Sequence, residues 1–196
     1  MTFKATTVIL AAIFASQVAL TAVSFADGKK GKGSSTEISF KADLSPALDV
    51  LGDGEASYKK KTGKKGSEEK FKGQVEFPVL DAAAAEVAVF EMHLARGGTE
   101  YAVCLLLIKE IEYKYQSGNP VPVEIEAEYV VDVSQKTPVS GTPTLKQKVG
   151  SCTVGGVAGV PAVQDVDTAT VFQQGFAGTL LTGTFSANHG DHDDDD

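Results

Sequence analysis

Apolar and polar residues alternate along most of this chain with the period of a β-strand. In EISFKADL, Ile38, Phe40, Ala42 and Leu44 take every second position, so one face of the segment can be buried while the other stays wet. Glu55 to Lys59 reads as a short second strand, and the alternation returns in KFKGQVEFPV at Phe71, Gly73, Val75 and Phe77. Between these two, KKKTGKKGSEEK reads as a hairpin loop of lysine and glycine. The strongest periodic signal is VPVEIEAEYVVDV, residues 121–133, where Val121, Val123, Ile125, Ala127, Tyr129, Val131 and Val133 share a face. Its partner is EYAVCLLLIKEIEYKY, residues 100–115, reached across the turn QSGNP.

Further on, residues 144–149 read as a strand leading to Cys152, GGVAGVPA as a loop, and TATVFQQ with GTLLTGTFSA as a last hairpin around Gly175. One segment points two ways. In DAAAAEVAVFEMHLARGG, Asp81 and the alanines suit a short helix near residues 82–95. Val87, Val89 and Phe90 favour instead a strand from Glu86 to Leu94 that turns at Arg96-Gly97-Gly98, and this is the preferred reading. About eight short strands with turns between them, and no long amphipathic helix, predict an all-β fold: an antiparallel β-sandwich or barrel forming a single domain over residues 36–187.

The two ends differ from this body. Residues 1–26 join one lysine in MTFK to an apolar stretch ending in Ser24 and Ala26, which predicts a secretory signal peptide cleaved after Ala26. Residues 27–35, DGKKGKGSS, then form a flexible leader with nothing to bury. The protein is therefore expected to be exported, to the periplasm, the extracellular space or the cell surface, with no integral membrane span after cleavage. In such a compartment its two cysteines, Cys104 and Cys152, are expected to form a structural disulfide.

Two stretches, GEASYKKKTGKKGSEEKFKGQVEFP and the terminal GTLLTGTF, resemble a loose set of exported bacterial all-β proteins. In that set a Gly-x-Ala-x-Tyr/Phe strand precedes a charged hairpin and a Lys-Phe-x-x-x-Val-Glu strand, and the domain closes on Leu-x-Gly-Thr-Phe. The resemblance implies an exported all-β module and brings no active site with it.

The formal charge of −8, or −9 once Lys4 leaves with the signal peptide, argues against nucleic acid, whose phosphates require a basic face. Charge is also uneven along the chain. Residues 27–72 hold eleven lysines against eight acids, whereas the remainder holds six basic residues against eighteen acids, so the chain is polar from end to end. Lys59, Lys60, Lys61, Lys64 and Lys65 form a candidate basic loop for an acidic surface polymer or a protein partner; the simpler reading is a solvated loop that blocks edge-to-edge sheet pairing.

Catalytic signatures are sparse. The body has one histidine, His93, between Met92 and Leu94, and no nucleophile elbow, zinc-protease helix or P-loop. A hydrolase acting on glycans through paired carboxylates is the alternative. If residues 115 and 121 face each other, Glu112 lies opposite Glu124 and Glu110 opposite Glu126, an acidic face that needs Ca²⁺, Lys109, Lys114 or a slipped register to relieve it. Residues 188–196, NHGDHDDDD, read as a disordered solubilising tail or as a weak metal ligand set. In the second reading His189, Asp191, His192, Asp193 and Asp194 would suit Zn²⁺, Ni²⁺ or Cu²⁺, and the oxygens alone Ca²⁺. The function expected overall is an exported, non-enzymatic β-module for surface structure or binding. A periplasmic divalent-metal-binding protein and the carboxylate hydrolase are the alternatives.

Overall fold

The structure, a computed structural model, describes residues 35–47, 50–115 and 122–187. The described residues belong to one compact unit. The segments expected as signal peptide and leader, up to residue 34, and the acidic stretch from residue 188 lie outside the described residues.

In chain order the strands are β1 (Thr36–Pro46), β2 (Asp53–Gly63), β3 (Gly66–Val79), β4 (Phe90–Arg96), β5 (Thr99–Tyr115), β6 (Pro122–Pro138), β7 (Thr144–Val149), β8 (Ser151–Val154), β9 (Val157–Ala158), β10 (Thr168–Gln173), β11 (Leu181–Thr184) and β12 (Ser186–Ala187), with one helix, α1 (Ala82–Val87), between β3 and β4. The path β6-β3-β2-β1-β11-β10-β4-β5 closes on itself because β5 pairs back onto β6, giving an eight-stranded antiparallel barrel. Of the two architectures expected, the barrel is the one formed. Closure depends on β5 changing neighbours part-way. Residues 102–105 pair with β8, whereas residues 107–115 pair with β6. The remaining short strands flank the ring: β7 on β6, β8 and β9 beyond β5, and β12 on β1.

Alternation decides what fills the barrel. Phe71, Val75 and Phe77 of β3 and Ala127, Tyr129, Val131 and Val133 of β6 point inward, where they meet Met92, Leu94, Leu106 and Leu181. Gly73 falls on the same inner face, and a Cβ there would stand 2.8 Å from the Met92 Cε, so the missing side chain makes room for the methionine. Cys104 and Cys152 lie directly opposite each other on β5 and β8, fully buried, and form the expected disulfide.

Three expectations change. First, the ambiguous segment divides: Asp81 accepts a hydrogen bond from the Ala83 N–H at 3.0 Å and caps α1 over the alanines, and the strand begins only at Phe90. Second, the lysine loop is not a loop. β2 and β3 run on to a two-residue turn, Lys64-Lys65, because Lys60 faces Glu69 and Lys61 faces Glu68 across the ladder, and opposite charges in register support a strand. Third, GGVAGVPA is partly structured. Gly155 and Gly156 both have positive φ, the conformation of a tight hairpin turn, and join β8 to β9.

Candidate functional site: the open end of the barrel

At the end of the barrel where β3 stops and β4 starts, the inner side chains do not fill the space. A cavity of about 460 Å³ opens there beneath α1. Its floor is aromatic: Phe77 stacks on Phe90 with centroids 4.8 Å apart, and Phe90 tilts against Tyr129 at 4.3 Å. These rings separate the cavity from the filled core. Helix α1 forms a wall with Ala84 and Ala85, whose methyls are too small to occupy the volume. The buried Tyr129 hydroxyl donates to the Ala85 carbonyl at 2.8 Å, which anchors the helix to the floor.

The rim carries large apolar residues that the fold leaves uncovered. Leu51 is 77% exposed, Leu80 fully exposed and Phe176 50% exposed, and all three line the cavity. Sequence reasoning missed this site because it was guided by alternating strands, and the connections that carry Leu51 and Phe176 read only as links between them. Leucine and phenylalanine inside turn segments were the available signal. The polar lining is small: Asp81, whose carboxylate is engaged as the helix cap, and Gln173.

A second recess of about 330 Å³ adjoins the first, and Leu51, Phe77 and Pro78 line both. Its other walls are acidic, with Asp53, Glu76, Glu124 and Glu126. Gly52 makes the junction possible. Its φ is +149°, and a Cβ would sit 2.6 Å from the Phe77 ring, so only glycine lets the chain turn this close to the floor.

The predicted acidic face exists, with its register moved by two residues. Glu112 lies opposite Glu126 and Glu110 opposite Glu128, because Tyr115 pairs with Pro122 rather than residue 121 and an irregularity between Lys114 and Tyr115 adds a second step. The lysines proposed as counterions act as such: Lys109 holds Glu128 at 2.7 Å, and Lys114 holds Glu126 at 2.6 Å and reaches Glu124 at 3.7 Å. The hydrogen bond from Lys114 lowers the Glu126 pKa, the opposite of what a general acid needs.

The other predicted site residues are dispersed. Lys59 and Lys61 both pair with Glu37, and Lys60 with Glu69, leaving Lys64 and Lys65 at the turn with no ion pair among the described residues. His93 is a hydrogen-bonded sheet histidine between Glu100, at 2.5 Å, and Glu91, at 3.3 Å. His189, Asp191, His192, Asp193 and Asp194 lie outside the described residues. Among the described residues, no group of three or more His, Cys, Asp or Glu side chains is placed to hold a metal, and no helix is long and apolar enough to cross a membrane. No protein family, curated protein or solved structure matches this chain.

Proposed function

We propose that this protein is an exported, non-enzymatic binding module that receives an apolar ligand at the open end of its barrel. The observation that carries the reading is the cavity: about 460 Å³ with an aromatic floor, ringed by exposed Leu51, Leu80 and Phe176. Such a volume falls within the range of small-molecule sites, roughly 300–1,000 Å³, which are mostly apolar with few polar groups. Uncovered apolar side chains around a recess are also the usual mark of an interaction site. Export is supported by the buried disulfide, which suits an oxidising compartment. A non-catalytic role is supported by the acidic face, where Lys109 holds Glu128 and Lys114 holds Glu126.

The test is fluorescence titration with an uncharged naphthylamine dye, whose emission rises in apolar surroundings. Wild type should bind it saturably. Ala84→Phe, at an exposed position on the cavity wall, should fill the space and reduce binding at least tenfold without lowering the melting temperature by more than a few degrees. Dye binding unchanged by Ala84→Phe would remove the mouth as the site.

A further inference from the structure

We infer that the ligand of the open end is an amphipathic cation, a molecule with an apolar body and an alkylammonium-type head. The inference rests on the mouth being a binding site, and the adjoining acidic recess supplies the second half of the chemistry. The two spaces adjoin at the lip of the barrel, where Leu51, Phe77 and Pro78 line both, so one molecule laid over these residues can reach the apolar floor with its body and the carboxylates with its head. Four carboxylates, from Asp53, Glu76, Glu124 and Glu126, line the recess, and no lysine or arginine does. Outside the lining, Lys114 offsets part of that charge through Glu126 and Glu124, Lys109 holds the neighbouring Glu128, and the Gln74 amide donates to Glu76 at 3.0 Å, so two lysines stand beside five carboxylates.

The carboxylates come from three strands by register rather than by chance clustering in sequence. Asp53 of β2 lies opposite Glu76 of β3, and Glu76 lies opposite Glu128 of β6. On β6, Glu124 and Glu126 follow at alternate positions towards the mouth, on the face of Glu128. A row of like charges across a sheet opposes folding unless something neutralises it. A cationic head placed in the recess would do so while its apolar body displaces water from the aromatic floor. An anionic amphiphile such as a fatty acid meets the same apolar floor and a repulsive rim, so head-group charge sets the specificity.

Isothermal titration of the full chain, below the micellar range, with a decyl chain carrying a trimethylammonium, a carboxylate or an uncharged maltoside head separates the contributions. The ammonium compound should bind at least tenfold tighter than the carboxylate at low salt, and the gap should narrow as salt shortens the screening length. Asp53→Asn combined with Glu124→Gln should weaken ammonium binding by about fivefold per carboxylate removed and leave maltoside binding unchanged. Glu37→Gln with Glu68→Gln makes the same change in net charge far from the recess and should have no effect.

Equal binding of all three heads, reduced equally by Ala84→Phe, would overturn the cation inference and leave the apolar site standing. An equal loss from the distant pair would overturn it too, since only net charge would then matter. If no decyl compound binds, or Ala84→Phe changes none of them, both readings fall. Self-association that Ala84→Phe abolishes and that excludes all three compounds would make a second copy the occupant and refute the inference.

Discussion

Asp167 is the one charged side chain fully buried among the described residues, and it is held on every side. Arg96 donates to both carboxylate oxygens at 2.8 Å, the Tyr101 hydroxyl at 2.9 Å and the Gln164 N–H at 2.9 Å. Burial by itself would raise the carboxyl pKa, but these donors outweigh it and leave the group below its ordinary value of 3.8. The folded protein therefore protonates Asp167 less readily than the unfolded chain does. The resulting stability is present above the ordinary pKa and is lost as pH falls through the lower folded value. Asp167→Asn should cost about 3 kcal/mol in urea denaturation at neutral pH and should make stability fall less steeply with acid. A mutant as pH-sensitive as wild type would show that other carboxylates govern acid unfolding. Next to it, Val166 has φ 60°, a strained conformation for a β-branched residue, while its N–H donates to the Phe185 carbonyl. Asparagine tolerates that conformation, so Val166→Asn should raise stability by about 1 kcal/mol.

A six-residue helix does not persist in water by itself, so α1 exists through its attachments. Removing the cap with Asp81→Ala should cost about 1 kcal/mol. Tyr129→Phe, which deletes the hydroxyl bound to the Ala85 carbonyl, should speed hydrogen exchange within α1 and leave the β4 amides slow. If β4 quickened as well, helix and barrel would be one cooperative unit. At this scale the sequence is legible where a segment's own pattern determines its state. Phe71 to Phe77 and Ala127 to Val133 face inward as their alternation predicts, and β7 spans residues 144–149 as expected. It is illegible where a partner strand decides. Nothing within KKK shows that Lys60 and Lys61 will meet Glu69 and Glu68, so a strand read as a loop. Nothing in QSGNP reveals the irregularity between Lys114 and Tyr115 that helps move Glu112 opposite Glu126. The mouth belongs to the same class of omission, since it is built from turns on three separate connections and exists only once the barrel closes.

For the molecule as a whole, the Cys104–Cys152 bond links residues 48 apart and encloses β6, β7 and the part of β5 that pairs with β6. Loop closure of that length corresponds to about 4 kcal/mol of unfolded-state entropy, so reduction should lower stability by an amount of that order. Intact mass of the protein taken from cells and alkylated should show no reactive thiol before reduction; two reactive thiols would mean the bond is not formed there. The outer face of the sheet made by β1, β2, β3 and β6 has a further property. Along β2 it passes from Asp53 and Glu55 to Lys59 and Lys61, and along β3 from Glu76 to Lys72 and Lys70, with Lys64 and Lys65 at the far turn. Charge sorted in this way gives the barrel an electric axis. Beside an anionic lipid leaflet or wall polymer, such an axis acts as a compass needle: the Lys64-Lys65 turn is drawn inward, and the apolar mouth is held facing the medium, where a diffusing guest meets it first. A fluorophore at residue 65 should then be shielded from an aqueous quencher when anionic vesicles are added, while one at residue 176 stays accessible.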